Sequence, residues 1–311
     1  MKNIIFLKPE FKSMIWGGNK LETEFGYRIP SDHTGECWAI SAHKNGDCQI
    51  SNGEFEGRTL SWLWANHREL FGNAEGEVFP LLIKIIDAKT DLSIQVHPDD
   101  VYAREKENGA LGKTECWYIL DCDEDGQIVI GHNAKSKEEL KDMIYHNRWK
   151  ELIRVTGIKK GDFFQIEPGT VHAIKGGTVI LETQQNSDIT YRLYDYDRLD
   201  NGKPRELHIE KSIDVITCPH VDKEVRGKNT HNASYDMEEL IQCSYYSVKK
   251  IDLHGEQDFT QDQKFLNVSV IHGDGKIDGM EIHKGDHFII PFGYGTYHME
   301  GSLELIVSHI M

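Results

Sequence analysis

The sequence predicts a mainly β fold built as two barrel-like units, the first larger than the second, with a few helices packed on the outside. Strand-like runs recur along the chain with Gly, Asn or Asp turns between most of them, and 28 glycines favour a turn-rich architecture. An internal echo supports the division into two units. Lys159-Lys-Gly-Asp-Phe-Phe-Gln-Ile-Glu-Pro168 resembles His283-Lys-Gly-Asp-His-Phe-Ile-Ile-Pro291, in each case a Gly-Asp turn, a hydrophobic strand and a proline. A length of 311 residues suits two domains, or one all-β body with an appendage.

Taken in order, strand-like runs occupy residues 37–41, 78–86, 93–96, 116–120, 127–130, 162–166 and 178–183. Helical patterning is concentrated in two places. Leu60-Ser-Trp-Leu-Trp-Ala-Asn-His-Arg-Glu-Leu-Phe71 is one predicted helix, and Ser136-Lys-Glu-Glu139 is a capping box leading into Leu140, Met143 and Ile144 on a single face. Residues 220–236 are polar and lack apolar periodicity, which marks them as a linker. The expected division is a catalytic unit over residues 1–235 and a smaller unit over 236–311. In the second copy of the echo Gly295 stands four residues after its proline, where the first has His172, so the second unit is expected to lack the ligand and to be structural.

Charge and cysteine usage narrow the classes of partner. Lys plus Arg total 35 against 51 for Asp plus Glu, a formal charge of -16 that repels nucleic acid and anionic lipid. The six cysteines form no C-x-x-C pair, which argues against a thiolate zinc site or a disulfide scaffold and for a reducing compartment. The apolar run in residues 1–8 is far too short for a signal sequence, and no segment approaches membrane-spanning length. A cytoplasmic protein is expected, with no nucleic-acid or membrane partner.

Chemistry enters at Leu92-Ser-Ile-Gln-Val-His-Pro-Asp-Asp100. On a strand Ser93, Gln95 and His97 point one way, while Leu92, Ile94 and Val96 face a core, so the polar row lines a cavity. A second histidine, His172, follows a Pro-Gly turn, and Glu115 lies at the start of another strand-like run. Two imidazoles and two oxygens from three segments suit zinc, with manganese, cobalt or iron as substitutes. A neutral glutamine oxygen leaves the ion electrophilic, which fits a Lewis acid better than a redox centre.

Several motifs in register then resemble one family. Trp16-Gly-Gly, Gly35-Glu-Cys-Trp-Ala-Ile-Ser-Ala-His43, the Leu92–Asp100 segment, Gly112-Lys-Thr-Glu115, Pro168-Gly-Thr-Val-His172 and Ser187-Asp-Ile-Thr-Tyr-Arg192 resemble type I mannose-6-phosphate isomerases of the cupin superfamily, in that family's order. The rest resembles the reduced C-terminal half of its short bacterial members. The resemblance implies cupin-type jelly-roll β-barrels, one catalytic and one reduced. It also implies one zinc ion per chain on Gln95, His97, Glu115 and His172, with Arg192, Glu182, Lys84, Lys113 and Asp188 in the catalytic pocket. Ser93, Lys84, Lys113 and Arg192 would meet the substrate, a small hexose phosphate, in a monomer or weak homo-oligomer. The long helical insertion of the larger members is missing, so pocket walls it supplies do not carry over.

Read as residues alone, several of these fit blander roles. Lys84 suits a strand-edge gatekeeper, Glu182 a buried partner of a lysine, and Asp188 with Arg192 a simple ion pair. Trp16 and Trp38 suit a core as well as a sugar platform. The reaction implied is aldose-ketose interconversion through an enediol, with Arg192 and Lys113 countering developing charge and either Glu182 or Lys84 as the base, Glu182 being preferred. The rival classes are an iron cupin dioxygenase, which favours three histidines where this chain has Gln95, and a non-catalytic sugar-phosphate-binding regulator, which would have lost the ligands or Arg192.

Overall fold

The structure, a computed structural model, describes residues 3–223 and 227–311. It is mainly β, with all strand pairings antiparallel. A six-stranded sheet runs in the order Phe163–Ile166, Glu115–Cys122, Thr178–Gln185, Leu81–Ala88, Glu10–Gly18, Thr34–Ile40. A five-stranded sheet runs Ile153–Gly157, Gln127–His132, His172–Ile174, Ile94–Val96, Tyr191–Tyr194. The largest sheet, of nine strands, is built mainly from the C-terminal part and is dominated by the long strands Tyr246–Gln261, Leu266–Ile277 and Gly295–Ile310.

The predicted strands all appear, with shifted ends. The run at 78–86 becomes Leu81–Ala88, because Val78 is 49% exposed and Pro80 lacks an N–H for the ladder. Every residue of Leu81–Ala88 and of Thr178–Gln185 is buried; the first strand is apolar apart from Lys84 and Asp87, whereas the second buries Thr178, Glu182, Thr183, Gln184 and Gln185 among its apolar residues. The first predicted helix divides: an α-helix over Leu60–Asn66, capped by the Thr59 side chain accepting from Trp62 N, and a 3-10 turn over Arg68–Phe71 beyond the non-helical His67. The second forms over Lys137–Tyr145, with Ser136 accepting from Glu139 N at 3.2 Å and Leu140, Met143 and Ile144 buried.

The stretch expected as a linker contains a strand, Asn229–His231, paired with Tyr235–Gln242; residues 224–226 of it lie outside the described ones. All three of its residues are exposed, so an edge strand needs none of the apolar pattern that would have announced it. A second departure concerns the N-terminus. Ile5–Lys8 hydrogen-bonds to His287–Ile290, with Ile5 opposite Ile289 and Phe6 opposite Phe288, so the start of the chain extends the C-terminal sheet.

The echo is structural as well as sequential. Gly161 and Gly285 both adopt positive φ, +91° and +95°, and in each turn the following Asp accepts from the backbone N–H three residues earlier, Lys159 to Asp162 at 2.9 Å and His283 to Asp286 at 2.7 Å. The two halves share one core. Trp64, Phe71, Phe79 and Phe265 are almost wholly buried, and Phe265 lies 5.3 Å from both Phe71 and Phe79 between ring centroids.

Phe265→Ala is expected to cost about 3–5 kcal/mol of stability by opening a cavity between the halves, read as a lower denaturant midpoint. A loss below about 1 kcal/mol would show that the aromatic cluster does not join them.

Candidate metal centre and its surrounding pocket

The polar cluster forms where the five- and six-stranded sheets face each other. On the five-stranded side His172 lies directly opposite Gln95, and Arg192 opposite Gln95 on the other flank, so the three share a face, as does His97 two residues on. The Pro168-Gly169 turn delivers His172. Gly169 has φ +84° and donates its N–H to His97 O at 2.9 Å, and a Cβ there would stand 2.5 Å from Thr217 Oγ1, so no other residue fits without strain.

The six-stranded sheet presents a row across four neighbouring strands: Trp117 opposite Glu182, Glu182 opposite Lys84, Lys84 opposite Trp38. Glu115 projects from the same face as Trp117, two residues earlier. Lys84 therefore sits in a central strand, 6% exposed, and not at an edge as a gatekeeper.

Where the faces meet, His97, Glu115 and His172 are 0–1% exposed. Their ligand atoms lie 3.1 Å (His97 Nε2 to His172 Nε2), 3.5 Å (His97 Nε2 to Glu115 Oε2) and 3.3 Å (His172 Nε2 to Glu115 Oε1) apart. Ligands about 2.0–2.1 Å from a tetrahedral ion stand about 3.3 Å from one another, so these separations are those of three corners around one divalent ion. His172 Nδ1 donates to Thr170 O at 2.8 Å, which leaves Nε2 as a lone pair facing His97. Burial, reinforced for His97 by the Lys113 charge, lowers both imidazoles, His97 to about 3, so both are neutral at physiological pH, the form in which a histidine can ligate a metal.

Charge is balanced by two lysines. Lys113 Nζ lies 2.6 Å from Glu115 Oε2 and 3.9 Å from Glu182 Oε1, and Lys84 Nζ lies 3.6 Å from both Glu182 Oε1 and Glu36 Oε2. Burial opposes ionisation of Glu115, but Lys113 and the imidazoles outweigh it and hold the carboxyl well below its usual range. Burial likewise disfavours charge on Lys113, and Glu115 and Glu182 overcome it to raise the ammonium. Glu182 differs: burial, then repulsion from Glu115, raises its carboxyl despite both lysines and the 2.9 Å hydrogen bond from Trp117 Nε1. Its Oε1 is buried without a hydrogen-bond donor.

Arg192 is half-buried; its Nη1 donates to Glu206 O at 2.9 Å, and its Nε is buried without a partner. Ser93 is buried immediately before the Ile94–Val96 strand. Asp188 is exposed, unlike the buried cluster. It accepts from Asn45 Nδ2 at 2.6 Å and lies 3.6 Å from His43 Nε2, so Asp188 and Arg192 are each engaged elsewhere. Trp16 packs in the core, whereas Trp38 sits with Lys84 Nζ 5.1 Å over its ring. Glu36 was not singled out from the sequence; its position two residues before Trp38 on one strand is the alternation that would have marked it.

Residues 4–130 match the family model for the phosphomannose isomerase type I catalytic domain, and residues 236–310 match the mannose-6-phosphate isomerase cupin domain. Mannose-6-phosphate isomerase ManA of Bacillus subtilis is 53% identical, with 98% of each chain covered, and the Streptococcus mutans mannose-6-phosphate isomerase is 48% identical, with 99% of each covered. The crystal structure of a Bacillus subtilis mannose 6-phosphate isomerase, 51% identical, superposes with a TM-score of 0.98 over 99% of this chain and 100% of that one. A putative mannosephosphate isomerase from Archaeoglobus fulgidus, 20% identical, shares the fold, with a TM-score of 0.80 and 100% and 98% covered.

The raised Glu182 carboxyl has a consequence for stability. A group whose pKa is higher folded than unfolded contributes stability that is full below the unfolded pKa and lost as pH rises through the folded one. Glu182→Gln, always neutral, is therefore expected to gain thermal stability over the parent in metal-free protein, the gain growing over the pH range above the ordinary carboxyl value. A gain that shrinks over that range would contradict the raised carboxyl.

Proposed function

The chain belongs to the type I mannose-6-phosphate isomerase family, and on that premise we propose that it is a zinc-dependent aldose-ketose isomerase interconverting mannose 6-phosphate and fructose 6-phosphate. The observation that carries this reading is the Lys113 ammonium between two carboxylates, 2.6 Å from Glu115 in the histidine cluster and 3.9 Å from Glu182. It joins a cage suited to a cation to a carboxyl suited to proton transfer.

Gln95, His97, Glu115 and His172 would hold one zinc ion per chain, which when bound supplies positive charge to polarise the oxygens at the reacting carbons. Glu182 moves the proton between C1 and C2. Its carboxyl is raised above the ordinary carboxyl range by burial and by Glu115, which favours its return of the proton it takes, and the enediol forms between those two steps. Lys84, 3.6 Å from Glu182, steadies the carboxylate form and is the alternative base. Lys113 and the unpartnered Nε edge of Arg192 counter negative charge on the substrate oxygens. Ser93, Lys84, Lys113 and Arg192 would hold the sugar phosphate, while Asp188 orders the rim through His43 and Asn45.

Among the described residues no helix is long and apolar enough to cross a membrane. Six unpaired cysteines support a cytoplasmic setting. The protein would act as a monomer or weak homo-oligomer on a small hexose phosphate, without a nucleic-acid or membrane partner.

A coupled assay of mannose 6-phosphate conversion before and after chelation tests the metal requirement directly. Purified protein should carry about one zinc, and His97→Ala less than about half an equivalent, with activity restored to the chelated parent by added zinc. Full occupancy in His97→Ala would remove that residue from the ligand set.

Proton transfer through an enediol exposes the migrating hydrogen to exchange, whereas direct hydride transfer does not. Turnover in deuterated water should place deuterium at C2 of the aldose or C1 of the ketose, and Glu182→Gln should keep its zinc yet turn over at least about a hundredfold more slowly. Unlabelled product over many turnovers together with an active Glu182→Gln would defeat the assignment.

A further inference from the structure

Lys113 and Glu115 stand at the mouth and first residue of a strand, and the backbone leading to them is tied down at three successive N–H groups. Gly112 N donates to Asp100 Oδ1 at 2.8 Å, Lys113 N to Pro98 O at 3.0 Å, and Thr114 N to Gln185 Oε1 at 2.9 Å. Gln185 closes the loop: its Nε2 donates to Asp100 Oδ1 at 3.0 Å and its backbone N to Thr114 O at 3.1 Å. The approach is close enough to need glycine, since a Cβ on Gly112 would lie 2.5 Å from Asp100 N and 2.5 Å from Asp99 C.

The second oxygen of Asp100 reaches the other half of the chain. Tyr245 OH, from the turn between Tyr235–Gln242 and Tyr246–Gln261, donates to Asp100 Oδ2 at 2.8 Å. Asp100 thus accepts from Gly112, Gln185 and Tyr245, three donors from three parts of the fold. Neighbouring Asp99 is the residue that caps the Asp100–Lys106 helix, accepting from Tyr102 N at 2.8 Å, so the cap does not account for Asp100.

We propose that Asp100 is a positioning residue: through the Gly112–Thr114 backbone it fixes where the Lys113 ammonium and Glu115 carboxylate stand, and Tyr245 carries the C-terminal half's contribution to that placement. The proposal rests on the isomerase reading, in which Lys113 and Glu115 belong to the reaction site. It gives the C-terminal half a role in catalysis though its copy of the turn carries no histidine at the His172 position.

The test is a double-mutant cycle in full-length, zinc-loaded protein, with hydrogen exchange as a readout independent of turnover. Asp100→Ala should lower kcat about tenfold or more with KM moved less than about threefold, and Asp100→Asn, which keeps an acceptor for Gly112 and Gln185, should stay within about threefold of the parent. The double variant Asp100→Ala/Lys113→Met should lose clearly less than the product of the two single losses, because part of the effect of Asp100 runs through Lys113. Amides of 112–114 should exchange at least about tenfold faster in Asp100→Ala. They should also exchange faster in Tyr245→Phe, which removes one hydroxyl and leaves the core intact. Multiplicative losses in the double variant, or unchanged exchange at 112–114 in either variant, would overturn the proposal. A parent that does not turn over mannose 6-phosphate would instead tell against the isomerase reading, and exchange alone would then judge the backbone link.

Discussion

Ionisable groups placed where water does not reach must satisfy one another, and the architecture around Glu115 follows from that constraint. An isolated buried carboxylate would take up a proton; Glu115, fully buried between the imidazoles of His97 and His172, stays ionised because the Lys113 ammonium stands 2.6 Å away. Those imidazoles are kept neutral by the same burial, so lone pairs and negative charge converge on one point. A cluster of that kind is poorly compensated by protein alone: both carboxylate oxygens of Glu115 lack a well-formed hydrogen bond. The chemistry of the donor set is that of a cation cage.

Sheet register does the placing. Residues directly opposite across antiparallel strands share a face, and the row Trp117, Glu182, Lys84, Trp38 holds a carboxylate and an ammonium side by side between two indoles. Each is held from more than one side. Trp117 Nε1 donates to Glu182 and Trp38 Nε1 donates to Glu36, whose carboxylate also lies 3.6 Å from Lys84 Nζ. Strands permit this precision because a one-residue slip would turn every polar group of the row into the opposite core. Within the cluster, Glu182 is the carboxyl that burial and a like charge push upward while its lysines pull down.

The C-terminal half repeats the Gly-Asp turn and strand of the N-terminal half and adds long strands, but its largest contribution is mechanical. It accepts the first strand of the chain, shares an aromatic core with the helix at Leu60–Asn66, and reaches the approach to Lys113 through Tyr245 and Asp100. Close agreement with the Bacillus subtilis structure along nearly the whole chain is consistent with two halves that pack as one body.

Local pattern in the sequence determined much of this. Alternation in the Leu92–Asp100 segment put Gln95 and His97 on one face, the Pro-Gly turn announced His172, and the capping box at Ser136 located its helix, since each depends on nearest-neighbour geometry that the chain carries within a few residues. Motif order extended this to Glu115, Lys113, Lys84, Glu182 and Arg192. Tertiary structure decided what depends on partners distant in the chain. The linker-like segment acquired an edge strand because Tyr235–Gln242 offered it hydrogen bonds, and Ile5–Lys8 joined a sheet formed more than two hundred residues later. Asp188 went to His43 and Asn45 while Arg192 went to Glu206, and Glu36 entered the site as the second partner of Lys84. Composition and periodicity specify which face a side chain takes; only the pairing of strands from separate parts of the chain specifies what that face meets, because register is a long-range choice with no local signature.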